Sequence, residues 1–348
     1  MTLWTTFCPS KICWELTAIE TTGKSPRSDW QKHQSLIAES LNTIKTAGIS
    51  GIRLVIFPSE LTTDGKIFDW KPIEIMLTLC RESHLLVDLC IGPFQYPYYP
   101  GIYLPKELTK QISPSEKYLD TDLFLESYGI DFLERQMNRH GNDKRIRGFH
   151  LANEWPDKQG IAGREEIKLT VSHEFMIATA SYLKKATTKP ILLNTNIDAS
   201  DKKKMENVFG KITQLLGKQG HIGFDIYPSQ EVWKKVPLQK IRRVFESYSK
   251  SFAIICSSLS PSEIYFAEVE AQPWGNGNSW FHLIKNEIDP QEKVLTYSRT
   301  SLPNTWRKYI QQTNCQSVSL WGADFWLSAE KMGITWPLEQ LKSCIETK

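Results

Sequence analysis

IRGFHLANE (146–154) and EIYFAE (263–268) each run almost wholly apolar to a terminal glutamate, Glu154 and Glu268. A short, near-continuous apolar run flanked by amphipathic sequence reads as a strand of a parallel sheet, covered on both faces. A parallel barrel builds its functional site from the C-terminal ends of several strands, so a carboxylate ending such a strand stands where that site would be. The rest of the chain decides whether there is a barrel to hold the two glutamates together.

Six further runs have the same character: LWTTFC (3–8), IRLVIF (52–57), LLVDLCI (85–91), PILLNT (190–195), HIGFDIY (221–227) and SVSLWG (317–322). With the first two they make eight, the number a closed (β/α)8 TIM barrel requires. Helical patterns alternate with them over 30–47, 70–82, 116–138, 168–186, 201–217, 237–249 and 303–313, with a closing one over 337–345. Ser28 or Asp29 could cap the first, and Thr300 or Asn304 the seventh. Repeated βα order without a low-complexity linker predicts an α/β fold with one domain over 1–348. The length of 348 residues suits such a barrel with insertions.

The bulk properties exclude several classes. The chain holds 42 Lys+Arg against 39 Asp+Glu, a net charge of +3 that gives no warrant for nucleic acid or a membrane surface as partner. Its seven cysteines include no Cys-x-x-Cys and no Cys/His cluster, so neither a metal site nor a disulfide framework is expected. Met1 leads almost at once into LWTTF, with no basic stretch followed by an apolar one. No run of about 18 apolar residues could span a bilayer. A cytoplasmic location is the expectation. No phosphate loop or Gly-x-Ser-x-Gly elbow is present, and no cofactor is implied. Oligomeric state is not legible.

The loops after the strands carry the aromatic residues. GPFQYPYYPGIYLP (92–105) follows the third strand, and VEAQPWGNGNSW (269–280) the seventh. Sugars present flat C–H faces that stack on Trp and Tyr, and several rings sit near strand ends, among them Tyr227, Trp274 and Trp321. His150 shares a face with Glu154 by alternation and could line the same cleft. Gln95, Glu60, Asn194 and Asn196 also stand at or just past strand ends.

Asn153-Glu154-Trp155-Pro156 at the end of a fourth strand resembles the Asn-Glu-Pro-type motif of clan A glycoside hydrolases, and GIRLVIFPSELTTDGKIFDW (51–70) is similar to the second-strand region of cellulase-like members. The resemblance extends to LWGADFW (320–326) and so spans nearly the whole chain. It implies a retaining β-glycosidase or endoglycosidase on a (β/α)8 barrel, acting on a carbohydrate. Glu154 would be the acid/base and Glu268 the nucleophile. Asn153 would bind the sugar 2-hydroxyl, Arg53 would stand beside Glu268, Tyr227 would hydrogen-bond it, and Trp321 would floor a sugar subsite. Read from their positions rather than from the resemblance, Trp274, His150 and Gln95 are further candidate substrate contacts. The chain departs from the pattern in having Trp155 before the proline, where an aromatic beside the acid would desolvate it. Tyr98-Tyr99 stand where Arg-Trp is expected. Glu270 is the rival nucleophile. The alternative reading is a barrel that binds glycans without cleaving them.

Overall fold

In the computed structural model, which describes residues 2–21, 28–113, 118–196, 202–226, 263–270 and 317–346, all eight expected runs are strands of one closed barrel. They are β1 (Thr2–Phe7), β2 (Gly51–Leu54), β3 (Leu86–Cys90), β5 (Ile146–Ala152), β8 (Ile191–Thr195), β9 (Gly220–Ile226), β10 (Glu263–Glu270) and β11 (Ser317–Trp321). Every neighbouring pair is parallel, and β11 closes the ring by pairing with β1, Thr5 opposite Leu320. The fold class read from the apolar runs is the one observed.

A second, small sheet was not expected. β4 (Gly101–Ile102) pairs in parallel with β6 (Gln159–Ile161), which pairs antiparallel with β7 (Arg164–Leu169). These strands lie within the segments that follow β3 and β5, so the sheet ties those two connections together. The helical reading of 168–186 is corrected accordingly. REEIKL is a strand whose Ile167 and Leu169 are buried while Glu165, Glu166 and Lys168 are exposed, the alternation a half-buried strand shows. The helix α7 begins only at His173, because Ser172 caps it: Oγ accepts from the Phe175 amide at 3.1 Å.

Helices pack around the barrel by their apolar stripes. α2 (Gln34–Thr46) buries Ile37, Leu41 and Ile44, and α4 (Lys71–Glu82) buries Ile73, Met76, Leu77 and Cys80, both at helical spacing. α8 (Lys202–Leu216) and α10 (Trp336–Glu346) follow the expected ranges closely, α6 (Leu123–His140) and α7 (His173–Ala186) begin later than the expected 116 and 168, and α9 (Ala323–Lys331) was not expected. Two short helices, α3 (Pro58–Leu61) and α5 (Lys106–Thr109), lie in connections. The first helical region differs. α1 (Pro9–Glu20) follows β1 directly, with Pro9 at its first turn and Ile12, Cys13 and Leu16 buried. The stretch 30–47 splits into a 3-10 turn at Trp30–Lys32 and α2, and Asp29 makes no side-chain cap. The expected helices 237–249 and 303–313 lie outside the described residues, as do Thr300 and Asn304. No described helix is long and apolar enough to cross a membrane.

At the end of the barrel where the strands begin, Arg147 lies 4.0 Å from the centroid of the Trp4 ring and its Nε donates to Asp88 at 2.9 Å. The same ring lies against Gly51, where a Cβ would collide with it. Gly51→Val should therefore destabilise the fold by about 1–3 kcal/mol, the usual range for overpacking. A urea midpoint equal to that of the parent would show that the Trp4 ring can yield.

Candidate active site

Glu268 sits on β10 behind a bulge. On the β9 side the register runs Phe266 opposite Phe224 and then Glu268 opposite Asp225, leaving Ala267 unpaired. A bulge shifts the inward and outward alternation by one residue, and here it sets Glu268 beside Asp225 of the neighbouring strand. Glu268 is 2% exposed and its Oε1 accepts from Arg53 Nη2. Arg53, on β2 and also buried, is held by Thr6 of β1, whose Oγ1 accepts from Nη2 at 2.6 Å and from Nε at 3.0 Å. The Arg53–Glu268 neighbourhood expected from the sequence is present.

Glu154 follows β5 with φ +49, in the left-handed region that a side-chain-bearing residue seldom adopts. Its carbonyl accepts from the Asp157 amide at 2.9 Å, closing a turn. Gln159 of β6 donates from Nε2 to Glu154 Oε2 at 2.7 Å, so the small sheet reaches the site. Glu154, Asp225 and Glu268 each bring one carboxylate oxygen into a group whose members all lie within 4.8 Å of one another. Among the described residues this is the one cluster of potential metal-binding type. Arg53 already supplies a cation to Glu268.

Beneath the trio runs a chain of polar groups inside the barrel. His150 Nε2 meets Asn194 Oδ1 at 2.6 Å, and Asn194 Nδ2 donates to Asp225 Oδ2 at 2.6 Å. With the amide so oriented, the His150 proton is on Nε2, and Nδ1 lies 3.6 Å from the Cys90 thiol. Burial, then the Arg53 charge, push His150 well below its usual range, so the ring is neutral. Burial likewise keeps Cys90 a thiol. His150 and Asn194 thus support the floor from below, with their polar atoms bonded to other protein groups.

The other expected residues divide. Asn153 is buried next to Glu154, and its Oδ1 has no partner among the described residues. Trp321 ends β11 and packs against Tyr98, centroids 4.7 Å apart. Gln95 has both ends of its amide occupied: Nε2 donates to Asp157 O at 2.9 Å and Oε1 accepts from Thr170 at 3.4 Å. It braces the Glu154 loop. Glu60 is likewise engaged, by Trp30 Nε1 at 3.1 Å and the Phe57 amide at 2.9 Å. Trp155 is fully buried. Its ring packs between His173 and Phe209, and Nε1 donates to Val171 O at 3.2 Å. Glu270 ends β10 opposite Trp321. Tyr227 and Trp274 lie outside the described residues. Asp225 went unnoticed in the sequence, although a lone carboxylate inside the apolar run HIGFDI was its signal.

No family model and no curated protein matches the chain at the level of sequence. Solved structures do match. GH5_18 from Bifidobacterium longum subsp. longum superposes with a TM-score of 0.61 at 13% identity, over 99% of this chain and 79% of that one. GH5_18 from Streptomyces cattleya, solved with GlcNAc, gives 0.62 at 11% identity, over 99% and 80%. A GH5-4 broad-specificity endoglucanase from an uncultured bacterium gives 0.58 at 11% identity, over 88% and 84%. The chain shares their barrel. Likeness at this identity speaks for the fold, which is the one the clan A resemblance implies.

Burial, then the like charge of Glu268, push the Glu154 carboxyl up to about 7 against the opposing Gln159 hydrogen bond. The folded protein therefore prefers this group protonated. That preference stabilises fully below the ordinary value of 4.5 and is lost as pH rises through about 7. Glu154→Gln, always neutral, should leave Tm nearly unchanged at pH 4 and raise it above the parent at pH 8. Parallel Tm profiles for the two proteins would contradict the assignment.

Proposed function

We propose that this protein is a retaining glycoside hydrolase acting on β-linked glycosides or oligosaccharides, its catalytic unit a single barrel domain. The observation that carries the reading is the approach of Glu154 to Glu268 within 4.8 Å. Retaining enzymes hold their carboxyl pair roughly 5–5.5 Å apart, whereas inverting ones need about 6.5–9.5 Å to admit a water. The asymmetry of the two environments adds support. Glu154 has its proton available near neutrality, as a general acid requires. Glu268 faces the Arg53 guanidinium.

In the first step a Glu268 oxygen attacks the anomeric carbon while the bond to the leaving oxygen breaks, and Glu154 gives that oxygen its proton. In the second, water attacks the same carbon, Glu154 takes the water's proton, and the bond to Glu268 breaks. Both carboxyl groups return to their starting states, and no redox partner is needed. Asn153, next to Glu154 with an oxygen unpartnered among the described residues, would meet a sugar hydroxyl. Trp321 and Tyr98 offer an aromatic wall. Glu268 rather than Glu270 is taken as nucleophile because it is the one paired with Arg53.

The solved neighbours guide the choice of first substrates. A variant of the Bifidobacterium longum GH5_18 was solved in complex with Manb1-4GlcNAc, and the uncultured-bacterium neighbour is an endoglucanase. A panel of 2-deoxy-2-fluoro glycosides with activated leaving groups, including mannosides and glucosides, should yield a covalent adduct that peptide mass spectrometry finds on Glu268. An adduct on Glu270 would move the nucleophile. Saturable oligosaccharide binding with no adduct and no hydrolysis would leave a glycan-binding barrel. Glu154→Gln should lower kcat on a substrate with a poor leaving group by about 100-fold or more. Full activity in that variant would remove it from the acid/base role.

A further inference from the structure

Asp225 is the third carboxyl group of this site, and the two-carboxylate mechanism leaves it without a task. It is 6% exposed, at the barrel mouth, in register with Glu268 on the adjoining strand. One of its oxygens lies within 4.8 Å of oxygens of both Glu154 and Glu268. Oδ2 accepts from Asn194, but Oδ1 is buried and has no hydrogen-bond partner among the described residues. Buried polar atoms in folded proteins nearly always have one, and leaving a carboxyl oxygen bare costs stability. The support beneath it is deliberate in form: Cys90, His150 and Asn194 make a directional chain that fixes the Asn194 amide and hence the Asp225 rotamer.

We infer that Asp225 is a substrate-binding residue that takes a polar substituent, in the simplest case a hydroxyl, of the sugar held between Glu154 and Glu268. The inference rests on the glycosidase reading. A hydroxyl is the fitting partner because it can both donate and accept. The charged groups that face Asp225 are Glu268 on β10, Glu154 after β5 and Arg53 on β2, with neutral Asn194 on β8 and His150 on β5. Burial and the two glutamates push the Asp225 carboxyl well above its ordinary range. A neutral carboxyl donates one hydrogen bond and accepts another, which pairs it with a hydroxyl and sets it against a second carboxylate. A site built to hydrogen-bond a given hydroxyl discriminates strongly against the analogue that lacks it.

The test is a cycle of variant against substrate. kcat and KM are measured for the wild type and Asp225→Ala on the aryl glycoside that the wild type cleaves best, and on its monodeoxy analogues. The cycle cancels the intrinsic reactivity of each analogue. One deoxy position should cost the wild type about 10-fold or more in kcat/KM, on the scale of one lost hydrogen bond. Asp225→Ala should lose a similar factor on the parent substrate and nothing further on that analogue. If Asp225→Ala loses the same factor on the parent and on every analogue, or loses none, the residue does not read a hydroxyl and the inference falls. Should Asp225→Ala fail to give a native near-UV spectrum, Asp225→Asn carries the same cycle: weakened coupling at one position supports the inference, and unchanged coupling at all positions overturns it. A wild type that cleaves no glycoside would sink the glycosidase reading itself, a result visible before any variant is made.

Discussion

The buried pair of Arg53 and Glu268 is the constraint on which the site depends. It joins β2 to β10 across the mouth of the barrel, between residues 215 apart in sequence, and Thr6 of β1 completes the grip on the guanidinium. Removing one partner of such a pair typically costs 3–5 kcal/mol, because the other charge is left buried and alone, whereas the intact pair adds little net stability. Its value is therefore positional. Three strands must be in register, and the bulge at Ala267 must be formed, before the guanidinium and the carboxylate meet. A barrel with β10 slipped by one residue would turn Glu268 to the other face and bury Arg53 without its counter-ion.

Around that pair the site is assembled in two tiers. The lower tier lies inside the barrel and is fixed: Cys90, His150 and Asn194 come from three strands and have their polar atoms turned to one another or to Asp225. The upper tier comes from the connections. Glu154 stands on a left-handed turn, Gln159 of the small sheet holds one of its oxygens, and Gln95 pins the following loop through Asp157. Such a backbone conformation persists only when its surroundings enforce it, and here the Asp157 amide closes the turn on the Glu154 carbonyl. Glu154 is thus adjustable through loop chemistry, and Glu268 through strand register.

The barrel was legible in the sequence because parallel strands are apolar on both faces, and eight such runs survive in this chain with little to obscure them. The glutamates were legible for a related reason, since charged residues at the ends of such runs have few structural uses, whereas Arg53 came only from the clan A resemblance. What escaped was structure whose signal is short or shared. β4 is two residues long and β6 three, below any periodicity. REEIKL carries a genuine alternation but adjoins a helical pattern, which absorbed it. Gln95 and His150 were expected to contact substrate, yet their polar atoms are engaged by protein groups, and sequence position says nothing of which partner takes a side chain's hydrogen bonds. Asp225 was hidden by its setting, since one acid in HIGFDI reads as a break in a strand until its neighbours are known.

The closure of the ring has a consequence for how this chain comes to be folded. β1 finds β2 close behind it, but its other edge is satisfied only by Ser317–Trp321, with Thr5 Oγ1 donating to the Leu320 carbonyl at 2.7 Å across a separation of 315 residues. A chain made from its N-terminus leaves that edge without its partner while the intervening strands are produced, at about 5–20 residues per second. Unpaired edges recruit other strands, and contacts this distant in sequence form slowly. The early-made α1 likewise waits for α9, beside which it packs in the finished fold. The last of the eight barrel strands to be made is thus the one that covers the free edge of the first.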